Sequence, residues 1–161
     1  MDFRVAAPDV EEVTEGDPRD AVLENARRKA RAVEGERVLG VDTEVVLEGG
    51  LLGKPAGEEQ AEEFLRALSG RTHEVLGGIC LRTGGADREA VAATRVRFRA
   101  LEQREIDWYL ASGEWRERAG GYAIQGRGAA LVAEIEGDYW NVVGLPVALL
   151  VELAPDFAGI S

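Results

Sequence analysis

The stretch DPRDAVLENARRKARAVEGERVLGVDTEVVLEGGLL, residues 17–52, predicts a helix, a strand and a hairpin in direct succession. Asp17 followed by Pro18 is a typical N-cap and first-turn pair, and Gly35 suits the position just after a helix. Between these signals the apolar residues recur at helical spacing, as Val22, Ala26, Ala30 and Val33. We therefore expect one amphipathic helix before the first long strand.

The strand that follows is predicted to run from Arg37 to Val41 and to end at Asp42 and Thr43. Glu48-Gly49-Gly50 then separates two apolar segments, which is the pattern of a hairpin turn. Because the ends of buried strands in α/β folds open into ligand crevices, Asp42 would lie where a carboxylate can hold a metal or accept a proton from water. The alternative is an aspartate that only caps a loop.

The rest of the chain continues the alternation of strands and helices. The predicted elements are a strand at Phe3–Ala7, helices at Glu58–Leu68, Glu102–Ala111 and Pro146–Leu153, strands at Thr72–Leu81 and Arg95–Arg99, and a hairpin of Ala130–Ile135 with Tyr139–Val142. No repeat or linker interrupts them, so residues 1–161 are expected to form a single domain. This alternation predicts an α/β fold whose mixed, twisted sheet is flanked by helices.

The composition excludes several classes of protein. The 161 residues carry 30 acidic and 19 basic side chains, a net charge of −11, which disfavours binding to nucleic acid through phosphate attraction. Neither an apolar run of about 18 residues nor a signal-peptide pattern is visible, so we expect a cytoplasmic protein without a membrane partner. The single cysteine, Cys80, excludes an internal disulfide and a cysteine cluster for zinc.

Two lysines are candidates for binding an anion. Lys54 lies in Gly53-Lys54-Pro55, which is not a Walker A motif but places an ammonium group on a short, rigid loop. Lys29 borders the apolar stripe of its predicted helix, which would direct it into a cleft. For both lysines the alternative is a solvated surface position.

Gln125 is a candidate for recognising a base, because its amide offers both a donor and an acceptor. It lies in a glycine-rich loop, and the alternative is that this loop only connects its neighbours. His73 is the only histidine and is interpreted as structural, since no triad partners accompany it. Cys80, Trp108 and Tyr139-Trp140 are interpreted as packing residues.

Five motifs occur in a fixed order: VDT at Val41–Thr43, LGKP at Leu52–Pro55, LSGxxH at Leu68–His73, AGGYAIQG at Ala119–Gly126 and EGDYWNVVGLP at Glu136–Pro146. Together they resemble the Maf family of nucleoside triphosphate pyrophosphatases, also described as septum-formation inhibitors. The resemblance extends from Phe3 to about Leu153. It implies a Maf or inosine-triphosphatase-like architecture with a central cleft, and a homodimer.

The resemblance also assigns roles to individual residues. It implies that Asp42 is the proton acceptor and that Glu12 and Asp42 are ligands of Mg²⁺ or Mn²⁺. The implied substrate-binding residues are Lys29, Thr43, Lys54 and Gln125. Asp-Thr together with Ile-Gln-Gly is similar to the branch of the family that acts on dTTP and UTP. The implied reaction is hydrolysis between the α and β phosphates, which yields a nucleoside monophosphate and pyrophosphate.

Three departures from the family pattern accompany this resemblance, and the smallest is Gly77, where the family usually has threonine. Glu11 stands where the family has an aspartate, beside the glutamate matched by Glu12, and the chain is expected to lack a first strand and helix with their Ser-x-Ser-Pro-Arg-Arg loop. Because arginines of that loop would bind phosphates, the rival hypothesis is a catalytically weak nucleotide-binding protein that acts in septum formation through a partner. A third hypothesis is a pyrophosphatase that destroys modified nucleotides.

Overall fold

A five-stranded sheet forms the centre of the protein, in a computed structural model that describes residues 3–160. The strands are β1 (Arg37–Leu47), β2 (Gly50–Leu52), β3 (Thr72–Thr83), β4 (Ala86–Phe98) and β5 (Val132–Glu136). Their order is β2-β1-β3-β4-β5, and each neighbouring pair is antiparallel. Helices flank the sheet, which confirms the predicted α/β class, although no parallel pair occurs among the described strands.

The described helices are α1 (Pro18–Arg31), α2 (Glu58–Leu68), α3 (Gln103–Leu110), α4 (Tyr139–Val143) and α5 (Val147–Leu153), with short 3₁₀ helices at Ala119–Gly121, Arg127–Leu131 and Pro155–Ala158. The predicted start of α1 is confirmed, because the Asp17 carboxylate accepts hydrogen bonds from the backbone N–H groups of Arg19 and Asp20 at 3.0 and 3.1 Å. The helix ends at Arg31, so the predicted stop at Gly35 is wrong. Within residues 3–160 no helix is both long and apolar enough to cross a membrane.

The strand β1 is longer than the sequence predicts, and this changes the position of Asp42. Residues 37–46 pair with β3 without interruption, so Asp42 and Thr43 lie in the middle of the strand. The predicted strand end at Asp42 is therefore wrong. The hairpin turn after β1 is confirmed, since Glu48 and Gly49 both have positive φ, as a type I′ turn requires.

The alternation of side chains along β1 separates two faces of the sheet. Asp42 and Glu44 lie on the face that packs against α1, together with Gly40. A Cβ atom on Gly40 would overlap the backbone of α1 at Ala26, so the glycine allows helix and strand to approach closely. The small core between them consists of Ala26, Ala30, Val38 and Cys80, which confirms Cys80 as a packing residue.

The opposite face of the sheet carries the main core, built with α2, α3 and the segment 119–131. Phe98, Tyr109 and Tyr122 are among its buried aromatic residues. His73 is buried with them, and its Nε2 atom shares a hydrogen bond of 2.7 Å with the Tyr122 hydroxyl. Burial lowers the pKa of His73 to about 4. The structural interpretation of His73 is confirmed.

The predicted second strand of a hairpin at Tyr139–Val142 is wrong, because this segment forms α4. The Asp138 carboxylate accepts a hydrogen bond from the Trp140 N–H at 2.8 Å and so begins a helix. The buried Asn141 amide donates to the Val75 carbonyl and to the Thr94 hydroxyl, both at 3.0 Å. Trp140 is 57% exposed, and Tyr139 and Trp108 are 39% and 45% exposed, so the interpretation of these three as packing residues is wrong.

The predicted strand at Phe3–Ala7 is also wrong. Its residues lie outside the described sheet, and Phe3 and Val5 are 80% and 81% exposed. A short apolar segment becomes a strand only where a neighbouring strand offers hydrogen-bond partners.

Candidate active site

A cavity of about 230 Å³ opens at the edge of β1, just beyond the end of β2. The strand β2 pairs only with Val45–Leu47, so the preceding residues Val41–Thr43 border the cavity. The chain that leaves β2 carries Lys54 past this edge, and the Gly120 N–H holds that chain by donating to the Gly53 carbonyl at 3.1 Å. Further walls come from segments 117–125 and 142–144.

Four of the predicted site residues form a line of alternating charge, Lys54–Glu12–Lys29–Asp42. The Nζ atom of Lys29 donates to Oδ1 of Asp42 at 2.5 Å and lies 2.9 Å from Oε1 of Glu12. The Nζ atom of Lys54 lies 3.4 Å from the same Glu12 oxygen. The exposed fraction of the side chain rises from 5% at Asp42 to 47% at Lys54, so the line leads from the protein interior to solvent.

Asn25 holds the other oxygen of Asp42, and the sequence analysis missed it. Its buried amide donates to Oδ2 of Asp42 at 3.1 Å and to the Val13 carbonyl at 3.1 Å, and it accepts from the Val13 N–H at 2.7 Å. Asn25 thereby ties Asp42 to the segment that carries Glu12. A signal was available, since Asn25 precedes Lys29 by four residues and so lies on the same face of α1.

Contacts between opposite charges explain the shifted pKa values of Glu12 and Lys29. Burial raises the pKa of Glu12, but the hydrogen bonds and positive charges of Lys29 and Lys54 outweigh it and hold the pKa below its usual value. Burial likewise disfavours the charge on Lys29, whereas Asp42 and Glu12 raise its pKa above the usual value. Glu12 and Lys29 are therefore both charged at neutral pH.

Glu44 is a third carboxylate beside this line, which the sequence analysis also missed. It is 6% exposed and follows Asp42 by two positions on the same face of β1. Burial, together with the negative charges of Asp42 and Glu12, raises the pKa of Glu44 to about 7. Alternating positions of this strand thus present acidic oxygens, which are the donors that Mg²⁺ and Mn²⁺ prefer.

Another group of metal-ligating side chains lies away from the cavity. Among the described residues, donor atoms of Cys80, Asp87 and Glu89 lie within 4.8 Å of one another. Arg27 donates to both oxygens of Glu89 at 2.7 and 2.8 Å, and Arg31 lies 3.4 Å from Asp87. Burial, together with the negative charges of Asp87 and Glu89, raises the pKa of Cys80 to about 11. The arginines already neutralise these carboxylates, so this group is better explained as an ion-pair network.

Thr43 and Gln125 complete the predicted set on the wall of the cavity. Gln125 is exposed and also borders a second, adjoining cavity of about 360 Å³. Arg118, which the sequence analysis did not select, lines both cavities. The structure brings the predicted site residues together: five line the first cavity, namely Lys29, Asp42, Thr43, Lys54 and Gln125, and Glu12 contacts two of them.

Comparison with known proteins identifies the family of this chain. A family model described as "Maf-like protein" matches residues 1–157. The chain therefore belongs to the Maf family of proteins.

Three relatives that are similar to this chain share the name dTTP/UTP pyrophosphatase. A dTTP/UTP pyrophosphatase of Anaeromyxobacter dehalogenans (strain 2CP-C) is 54% identical to this chain over 153 residues, which are 92% of this chain and 78% of the relative. Proteins of the same name from Symbiobacterium thermophilum and Pyrococcus furiosus are 48% and 44% identical. Those alignments cover 96% and 89% of this chain, and 83% and 77% of the two relatives.

Proposed function

We propose that this protein hydrolyses dTTP and UTP to the nucleoside monophosphate and pyrophosphate. The observation that carries the proposal is the line Lys54–Glu12–Lys29–Asp42, which ends in a cavity that Gln125 also borders. The names of the relatives supply the substrates, and their identities of 54%, 48% and 44% support the transfer to this chain.

Lys29 and Lys54 would bind the triphosphate. The protein as a whole has a net charge of −11, which repels an anion. Charges more than about 8 Å away are largely screened at physiological salt. A single ion pair at 4 Å contributes roughly 4 kcal/mol before desolvation, at an effective dielectric constant of about 20. Lys29 and Lys54 are paired with Glu12 and Asp42, so they would attract the triphosphate over the diffuse negative surface once a divalent cation neutralises those carboxylates.

Asp42 would accept the proton of the attacking water. Lys29 holds its Oδ1 atom and Asn25 its Oδ2 atom, so the carboxylate has a fixed orientation. Each carboxylate oxygen has two acceptor positions, and one on each remains for water after these bonds. General-base catalysis of this kind typically contributes about 10²–10⁴-fold to a rate.

Glu12 and Asp42 would hold a divalent cation, Mg²⁺ or Mn²⁺, with Glu44 as an additional carboxylate in the same region. The carboxylate oxygens of these side chains are donors that both cations prefer, which supports this fit. When bound, such an ion supplies charge neutralisation at the phosphate oxygens and lowers the pKa of water.

Gln125 would recognise the base, with Thr43 beside the substrate on the same wall. The pairing edges of uracil and thymine present an N–H donor between two carbonyl acceptors, and a carboxamide complements one donor and one acceptor at once. We also infer that the protein acts in the cytoplasm as a homodimer. The family resemblance supports the homodimer, and the sequence pattern described above supports the cytoplasm. Sedimentation of the purified chain tests the dimer.

The decisive experiment is an assay of pyrophosphate release from dTTP, UTP and CTP with Mg²⁺ or Mn²⁺. We expect turnover of dTTP and UTP that exceeds turnover of CTP, and loss of turnover in the Asp42→Asn variant. Tight binding of dTTP without any hydrolysis would contradict the proposal and favour the rival hypothesis of a nucleotide-binding protein.

A further inference from the structure

Gln125 lies at the apex of a short loop. One end of this loop is hydrogen-bonded to α3, and the other end is hydrogen-bonded to the turn that follows α3. On one side of the apex, the Ala123 N–H donates to the Tyr109 hydroxyl at 2.9 Å. On the other side, the Arg127 N–H donates to Oε2 of Glu114 at 2.7 Å. These bonds are two residues before and two residues after Gln125, so they bracket it closely.

The contact with Glu114 is tightly packed as well as hydrogen-bonded. A Cβ atom on Gly126 would overlap the Glu114 carboxylate, which shows that the carboxylate lies directly against the loop backbone. The guanidinium group of Arg127 lies 5.2 Å from the ring centroid of Trp108 on α3, a further contact on the same side of the loop. The loop therefore has little freedom to shift away from α3.

Glu114 is itself attached to a rigid part of the molecule. Its backbone N–H donates to the Ser112 hydroxyl at 3.1 Å, and that hydroxyl donates to the Tyr109 carbonyl at 2.5 Å. The next residue, Trp115, is 6% exposed in the main core and donates from Nε1 to the Leu110 carbonyl at 3.1 Å. A carboxylate held in this way can fix the position of the loop that it contacts.

We propose that Glu114 is a positioning residue that fixes the backbone of the loop carrying Gln125 at the cavity wall and thereby sets which nucleobase the site accepts. This inference rests on the proposed function of Gln125 as the base-recognising residue. The pairing edges of uracil and cytosine differ by an exchange of donor and acceptor, so the site can distinguish them only where the loop presents the amide to the base at a fixed distance and direction. Discrimination requires that the amide be held, and Glu114 borders only the second cavity, away from the lysines.

Three variants separate the acceptor role of Glu114 from its charge. Glu114→Ala removes the acceptor, whereas Glu114→Gln keeps an oxygen that can accept from the Arg127 N–H. Glu63→Ala on α2 is the matched control, because it removes an exposed carboxylate without an ion pair or side-chain hydrogen bond among residues 3–160. All three remove one negative charge, so a common effect of charge would appear in each.

Two measurements test whether Glu114 positions the loop of Gln125. In Glu114→Ala we expect amide hydrogen exchange in residues 123–128 to become about tenfold faster, and the ratio of kcat/KM for dTTP over CTP to fall about tenfold, mainly through KM. Glu114→Gln should restore both values to near those of the parent. Equal exchange in the parent and Glu114→Ala, or a faster loop with unchanged selectivity, would overturn the inference.

The same experiment separates this inference from the proposed function. If the parent protein hydrolyses no nucleotide, the proposed function is wrong, and selectivity is then measured as binding of UMP against CMP by calorimetry. A parent that binds both equally overturns the inference as well. A parent that is active and selective, with Glu114→Ala indistinguishable from it, overturns the inference alone.

Discussion

The carboxylate of Asp42 on β1 accepts a hydrogen bond of 3.1 Å from the amide of Asn25 on α1, seventeen residues earlier in the chain. That bond joins the central strand to the helix above it, and through Val13 to the segment that carries Glu12. Lys29 closes the same arrangement from the next turn of α1. The orientation of Asp42 is therefore set by two side chains of one helix face.

Asp42→Asn should reduce pyrophosphate release from dTTP by about 10²–10⁴-fold, because the amide cannot accept the proton of water. Steady-state assays at saturating Mg²⁺ measure this, and circular dichroism checks that the fold persists. Asp107→Asn, on the exposed side of α3, is the control and should leave the rate unchanged. Activity of Asp42→Asn within about threefold of the parent would remove Asp42 from the role of base.

Asn25→Ala should destabilise the protein by about 1–3 kcal/mol, since Asp42 and both backbone groups of Val13 lose a buried partner. The free energy of unfolding in urea measures the loss. Limited proteolysis should in addition cut the segment before α1 faster than in the parent. A variant with unchanged stability and unchanged cleavage would show that Asn25 does not tie this segment to the site.

Lys54→Ala should weaken binding of a nucleoside triphosphate much more than binding of the monophosphate, because the ammonium group lies at the solvent end of the charged line. Calorimetry with a non-hydrolysable triphosphate and with UMP makes the comparison. Arg66→Ala removes an exposed positive charge on α2, and it controls for the change in net charge. Equal weakening of both ligands by Lys54→Ala would exclude contact with the outer phosphates.

The buried His73 should make folding stability depend on pH between about 6.5 and 4. Its pKa is lowered from 6.5 to about 4 by burial, so within that window the unfolded chain binds a proton that the folded protein does not. The contribution of His73 to the free energy of unfolding is complete above pH 6.5. It decreases as pH falls toward 4, by on the order of 3 kcal/mol. The difference in unfolding free energy between the parent and His73→Gln isolates this residue from the carboxylates, and a difference constant with pH would contradict the assignment.

Local signals in the sequence predict several elements well. Asp17 and Pro18 mark the start of α1, Ser69-Gly70 follows the end of α2, and Gly84-Gly85 lies between β3 and β4. Each of these signals acts through backbone conformation or a hydrogen bond within a few residues, so neighbouring sequence is sufficient to find it. Four of the predicted site residues, Asp42, Thr43, Lys54 and Gln125, lie in motifs whose order along the chain is likewise visible in the sequence.

Other features depend on contacts that sequence periodicity does not reveal. β1 extends through Asp42 because β3 pairs with it residue for residue, and α4 replaces a predicted strand because Asn141 bonds to β3 and β4. Phe3–Ala7 has strand-like composition but lies outside the described sheet. In each case a partner distant in sequence decides between conformations that local propensity leaves nearly equal.

The sequence by itself determined the family to which the chain belongs and six of the polar groups at the site, but not Asn25, Glu44 or Arg118. Only the tertiary structure decided how they act together. Glu12, Lys29 and Asp42 come from three separate segments, yet the Lys29 ammonium lies 2.5 Å from Asp42 and 2.9 Å from Glu12. Likewise, Glu114 reaches the loop of Gln125 only because α3 packs beside that loop. Coulomb and hydrogen-bond energies depend on distance in space, which packing of the helices on the sheet establishes and residue spacing does not.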